Sequence, residues 1–175
     1  THSAIDAPGY AWLLSDDILR SIAEANATHD ATFVLAHAGL EHFNIPQLEW
    51  RRLYRKFCNM GATAVVGCHP HVPQGHEAYN GSHIFYSLGN FYFDTNRYTN
   101  SPDTTYSLLI SLDRPQRITW RPVWTKKDRH LLVKLANEAH DRFDDLNEML
   151  GEPYEGLRCE MSLRKQRELL PLLQR

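Results

Sequence analysis

The chain is expected to fold as an α/β protein, and three observations carry that expectation. Two short, continuous apolar runs, residues 32–36 and 62–67, have the length of strands covered on both faces. An amphipathic helical pattern lies between them. The 175 residues hold 42% hydrophobic and 23% charged side chains, enough apolar material for a core. Lys and Arg total 19 against 21 Asp and Glu, a formal net charge of −2, which argues against a dedicated nucleic-acid binder. No apolar run approaches the roughly 18 residues of a membrane helix. The opening Thr1-His2-Ser3 shows neither a basic nor an apolar leader region.

Taken in order, Ser15 is placed to cap a helix running to about Asn26, with Asp16 and Asp17 in the first turn, where the helix dipole favours carboxylates. Ile18, Ile22 and Ala25 supply its apolar stripe. The first strand follows over 32–36. Pro46 then opens a second helix in which Trp50, Leu53, Tyr54, Phe57 and Cys58 keep i, i+3, i+4, i+7, i+8 spacing, and Gly61 stands where the chain must leave it. The second apolar strand completes a βαβ unit, so the two strands should be parallel neighbours.

Asn80-Gly81 is a turn signal, and residues 83–87 form a third strand. Residues 94–104 are polar and turn-rich, as in a surface loop. Residues 105–112 and 117–124 form a hairpin; in the second arm Ile118, Trp120 and Trp124 alternate with Arg117, Thr119 and Arg121. Beyond it, Leu132, Leu135, Ala136, Ala139, Phe143, Leu146 and Leu150 step by three and four toward Gly151, the pattern of a long helix. A last helix is expected near 162–170. The division is therefore residues 1–125 as the α/β body and 126–175 as a helical extension packed on it. Cys58, Cys68 and Cys159 are odd in number and lack CxxC spacing, which argues against a disulfide framework and a zinc ribbon.

The ten histidines are unevenly spread. His37 directly follows the first apolar strand, and His69 and His71 follow the second. Ligands of parallel sheets bind at the carboxyl ends of strands, so these three imidazoles share the chemically useful edge. Extended backbone at 69–71, enforced on His69 by Pro70, would turn both side chains to one face. Neutral imidazole is a good ligand for divalent ions. His42, His76 and His83 lie off the strand ends, where surface or supporting roles are expected.

Three stretches occur in order: residues 37–41 (His-Ala-Gly-Leu-Glu); 61–77, which contains His69-Pro70-His71 and continues through Gln74 to Glu77; and 86–91 (Tyr-Ser-Leu-Gly-Asn-Phe). Together they resemble the bacterial CapA family, the poly-gamma-glutamate and capsule biosynthesis proteins with a metallophosphatase-like domain of the calcineurin-like phosphoesterase superfamily. The resemblance covers about residues 12–94. It implies part of a four-layer αββα sandwich with two divalent ions at the sheet edge, whether Mn, Zn, Fe or Mg. By it, His37 and His69 serve one ion and His71 the other. Glu41, Glu77 and Asn90 become candidates for the surrounding shell, and Gln74 and Asn90 for substrate binding. Ala38 stands where the family commonly has Trp, and Cys68 where it often has another His.

The family's earlier Asp and Asn-Asn-His elements have no counterpart here, so the chain resembles the C-terminal half of the domain. The resemblance further implies an anionic polymer or phosphate-ester substrate and a place in the bacterial cell envelope, with any membrane attachment made by a segment outside this sequence. It also implies either a companion N-terminal half or self-association through an exposed sheet. The expected activity is metal-dependent phosphoester hydrolysis in the whole domain. The alternative is a non-catalytic accessory or scaffold in synthesis or export of an anionic surface polymer.

Overall fold

The computed structural model describes residues 11–90, 104–114, 117–127, 133–135 and 139–151. The expected loop over 94–104 and the helix near 162–170 lie outside them, apart from the strand residue Thr104. The first half of the chain builds a four-stranded mixed sheet from β1 (Phe33–His37), β2 (Ala64–Cys68), β3 (His76–Tyr79) and β4 (Ser82–Phe85), in the order β1-β2-β4-β3. β1, β2 and β4 run parallel, and β3 returns antiparallel against β4. The α/β class therefore stands, with the βαβ unit as expected. No helix of the described residues is long and apolar enough to cross a membrane.

Helix α1 (Asp16–Thr28) carries its carboxylates at the positive end and buries Ile22. It runs two residues past the expected end, and the Thr28 hydroxyl donates to the Glu24 carbonyl in its last turn. Helix α2 (Leu48–Asn59) starts two residues after Pro46 and buries Tyr54, Phe57 and Cys58, the stripe its spacing announced. It ends in a Schellman motif: Ala62 N–H donates to Phe57 O at 3.1 Å and Gly61 N–H to Cys58 O at 2.9 Å. Gly61 adopts φ +100°, and a Cβ there would strike the Asn26 side chain, so glycine answers both the turn and the packing of α1 on α2.

Strand register sorts the sheet's two faces. Val34, Val65 and Ile84 align on one face, with Glu77 at its β3 end. This face meets the helices, and Tyr54, Phe57, Cys58, Tyr86 and Leu150 join the same core. Leu35, Val66, Phe85 and His76 align on the other. The expectation of cover on both faces fails at β1: Val34 and Ala36 are buried, but Leu35 is 80% exposed and Phe33 37%. Among the described residues β1 is an edge strand of its sheet, and the helices clothe only one side of it.

β3 is an element the sequence did not announce, because His-Glu-Ala-Tyr lacks an alternating apolar pattern. Asn80 (φ +49°) and Gly81 (φ +78°) turn it into β4, both in the left-handed region that a tight hairpin requires. Gly67 lets β2 and β4 close together; a Cβ there would lie 2.0 Å from the Tyr86 carbonyl oxygen. Downstream, β5 (Thr104–Arg114) and β6 (Arg117–Lys127) form the expected hairpin, with a register shift between Leu112 and Arg114. The long C-terminal helix is corrected. Val133–Leu135 is a short strand, β7, paired antiparallel with the end of β6. Helix α3 begins only at Ala139 and runs to Met149. Steps of three and four through Leu132 and Leu135 fit a helix, but an open strand edge on β6 claims the segment.

α3 reaches back to the first sheet. Leu146 and Leu150 are buried, Asn147 Oδ1 accepts from the His76 N–H at 2.7 Å, and Arg51 donates to the Leu150 carbonyl at 2.8 Å.

Candidate metal centre

β1 and β2 end side by side, with His37 registered against Cys68. The loops that leave them are laced together: Ala38 N–H donates to Cys68 O at 3.0 Å, and His42 N–H to Pro70 O at 2.7 Å. Gly39, at φ +125°, lies against the Pro70 ring, where a Cβ would come within 2.9 Å. This lacing overrides the extended backbone expected at 69–71. His69 takes φ +105° and His71 φ +61°, despite the preference of a residue before proline for extended conformations. Left-handed backbone at a non-glycine residue costs on the order of 1–3 kcal/mol, and such strain collects at functional sites.

A run of close polar contacts joins these rings. Cys68 Sγ lies 3.4 Å from Ala36 O and 3.2 Å from His37 Nδ1. His37 Nε2 lies 3.1 Å from His69 Nδ1, and His69 Nε2 is 3.9 Å from Glu41 Oε1. With the thiol hydrogen on the Ala36 carbonyl, both rings donate from Nδ1 and His69 Nε2 carries the lone pair. His71 arrives at the same state separately: its Nδ1–H donates to Asn90 Oδ1 at 2.8 Å, leaving Nε2 as the ligand-capable nitrogen.

The donor atoms that converge belong to Glu41, His69 and His71, all within 4.8 Å of one another. His37, expected as a ligand together with His69, is not in this group. His37 stands behind His69 and orients it, with the two rings 4.8 Å apart edge to face. Glu41, expected in the shell, sits among the donors. Asn90 keeps a supporting role through His71. Two imidazole nitrogens and a carboxylate oxygen are suitable chemistry for a divalent ion with open positions.

Two candidates are placed elsewhere. Gln74 is 2% exposed, and its amide donates to the Phe43 carbonyl at 2.8 Å, so it clips two loops together. Glu77 lies on the helix-facing side of β3 and accepts from Arg51 at 2.9 Å, Arg55 at 2.8 Å and Tyr86 OH at 2.7 Å. Burial would raise its carboxyl, but those hydrogen bonds outweigh burial and hold it below the usual carboxylate range. It is a structural anchor.

A second histidine pair is half-buried in the β3–β4 hairpin. His76 Nε2 and His83 Nδ1 are 3.1 Å apart, with Phe85 beside both rings. Burial first, and then His83, push the His76 imidazole down to about 4. Burial lowers His83 as well. His42, expected in a surface or supporting role, is exposed, and its ring stacks on His71 with centroids 6.0 Å apart.

Imidazoles and a carboxylate gathered at the carboxyl ends of parallel strands define an α/β protein whose sheet edge carries a candidate metal site. The profile of the family described as bacterial capsule synthesis protein PGA_cap matches residues 2–95, and the chain belongs to that family. It is similar to the PGA biosynthesis protein CapA of Bacillus subtilis (strain 168), 48% identical over 73 residues, which is 42% of this chain and 19% of that protein. It is similar also to the capsule biosynthesis protein CapA of Bacillus anthracis, 37% identical over 93 residues, 51% of this chain and 23% of that protein. An uncharacterized protein, y4sH, of Sinorhizobium fredii (strain NBRC 101917 / NGR234) is 52% identical over 42 residues, 24% of this chain and 9% of that protein. The matched stretch thus spans about a fifth of the length of the two CapA relatives.

Proposed function

We propose that the chain acts in bacterial capsule or poly-gamma-glutamate biosynthesis and carries the histidine-bearing part of a metal-dependent phosphoesterase-type centre. The observation behind this reading is the convergence of Glu41, His69 and His71, with both imidazoles turned to present Nε2 by partners of their own. Those three would hold a divalent ion, which when bound supplies Lewis-acid charge for an anionic substrate and lowers the pKa of water. The chain's own residues do the positioning: Cys68 and His37 set His69, and Asn90 sets His71. A second ion, as the resemblance implies, would draw on ligands beyond this group.

The test is turnover of an aryl phosphodiester by the full-length protein and its His69→Ala variant. Loss of turnover in the variant is expected; equal turnover sinks the hydrolase reading. The second reading is a non-catalytic accessory role in synthesis or export of an anionic surface polymer. Polymer synthesis that survives His69→Ala would support that role. The exposed β1 face, with Leu35 at its centre, fits a further packed layer from a companion segment or a second copy. Sedimentation of the chain against Leu35→Lys tests this, with weaker association expected in the variant.

A further inference from the structure

Glu41 is the exposed member of the converging donors, while His69 and His71 are half-buried. An exposed carboxylate keeps a fixed place only if the backbone that carries it is fixed. Hydrogen bonds tie the Glu41 loop to residues 68–74, the segment that bears both donor histidines. Before Glu41, Ala38 N–H meets the Cys68 carbonyl; after it, His42 N–H meets the Pro70 carbonyl. Further along, the Phe43 carbonyl accepts from the Gln74 side-chain amide at 2.8 Å, and the Asn44 amide donates to the Pro73 carbonyl at 3.0 Å. Of these ties, the one from Gln74 comes from a fully buried side chain. Burying an amide is unfavourable unless it is bonded, and an unbranched apolar side chain would fill the same space. What the amide adds is a hold on the Phe43 carbonyl, two residues past Glu41. Gln74 is itself a firm post: its N–H donates to the Ser87 carbonyl at 3.0 Å, and Pro73 before it bridges to Leu88.

We propose that Gln74 is a positioning residue of the candidate centre: its buried amide, through the Phe43 carbonyl, holds Glu41 in place against His69 and His71 and so sets the affinity for a divalent ion. The inference rests on the metal-dependent reading and assigns the residue that brings the carboxylate to the imidazoles. Gln74 acts on the ion only through the Glu41 loop.

The experiment is a double-mutant cycle on the Mn²⁺ affinity of the full-length protein, measured by calorimetry. Gln74→Met keeps the length of the side chain and loses the amide. It should bind Mn²⁺ about tenfold more weakly than the parent, the scale of losing a partner that orients a metal ligand. In a Glu41→Gln background the same substitution should change affinity by less than about twofold, because the carboxylate it places is gone. In an Asn90→Ala background the full loss should remain, because Asn90 acts through His71. Asn44→Ala, at an exposed residue on the next tie of the same loop, should repeat the pattern and stands in should Gln74→Met not fold. An equal loss in the Glu41→Gln background, or none in the Asn90→Ala background, overturns the inference, since Gln74 would then not act through Glu41. Unchanged Mn²⁺ affinity in the folded variants overturns it as well and leaves the metal reading standing. A parent that takes up no Mn²⁺ overturns the metal reading and the inference together.

Discussion

Two histidine clusters occupy the same sheet and are built in opposite ways. His69 and His71 sit on strained, left-handed backbone beyond the end of β2, and their rings are set by partners on their far nitrogens. His76 and His83 sit on regular strands, bond each other and are half-buried beside Phe85. The first cluster pays in backbone conformation for nitrogens aimed at a common point. The second meets its hydrogen-bonding needs internally, and its rings are held neutral by burial. Imidazole content alone therefore says little about ligation; what separates the clusters is where the second ring nitrogen goes.

The contrast breaks most visibly if the first cluster does not bind metal. His71→Ala should weaken Mn²⁺ or Zn²⁺ binding by about a hundredfold, roughly 2.7 kcal/mol, in a competition titration, whereas His83→Ala should leave it unchanged. Equal losses would erase the distinction. Next in size is Glu77→Gln, which removes the charge that Arg51 and Arg55 share and should cost about 2 kcal/mol in urea unfolding, since it leaves two partly buried cations underpaired. Its metal affinity should hold; a drop would mean that the hairpin and the centre are coupled.

Asn90→Ala should lower metal affinity by about tenfold without changing stability, because it frees the His71 ring to rotate. The smallest effect is acid sensitivity. His76 has a folded-state pKa of about 4, below its ordinary value of 6.5, so the unfolded chain binds more protons between the two. Its contribution is complete above pH 6.5 and falls away as pH drops toward 4. Between pH 7 and 5 the loss should be about 1 kcal/mol after allowance for partial solvation, and His76→Phe should flatten that part of the stability profile.

The βαβ unit, the α2 stripe and the placing of His37, His69 and His71 at strand ends were all legible, because each rests on periodicity or strand order. The local rule for Pro70 misled at His69, since backbone bonds from Ala38 and His42 decide that loop and they arise from tertiary structure. That Glu41 rather than His37 lies in the converging group was hidden for the same reason: Cys68 and His69 contact both nitrogens of His37, and neither contact is written in spacing. Glu77 and Gln74 looked like site residues by motif, yet their faces and burial follow from the register of β3, a strand with no apolar alternation to reveal it.

The missing side chain at Gly67 has a reach well beyond its own strand. Because nothing projects there, the chain leaving β4 passes close enough for Leu88 N–H to meet the Gly67 carbonyl at 3.2 Å. Two residues further on is Asn90, which orients His71. Gly67→Ala would push that segment outward and release His71 from its partner, although position 67 touches neither a donor atom nor any ligand. The geometry of the sheet edge is in that sense set partly by an empty space between two strands, and a methyl group there would disturb the candidate centre from behind.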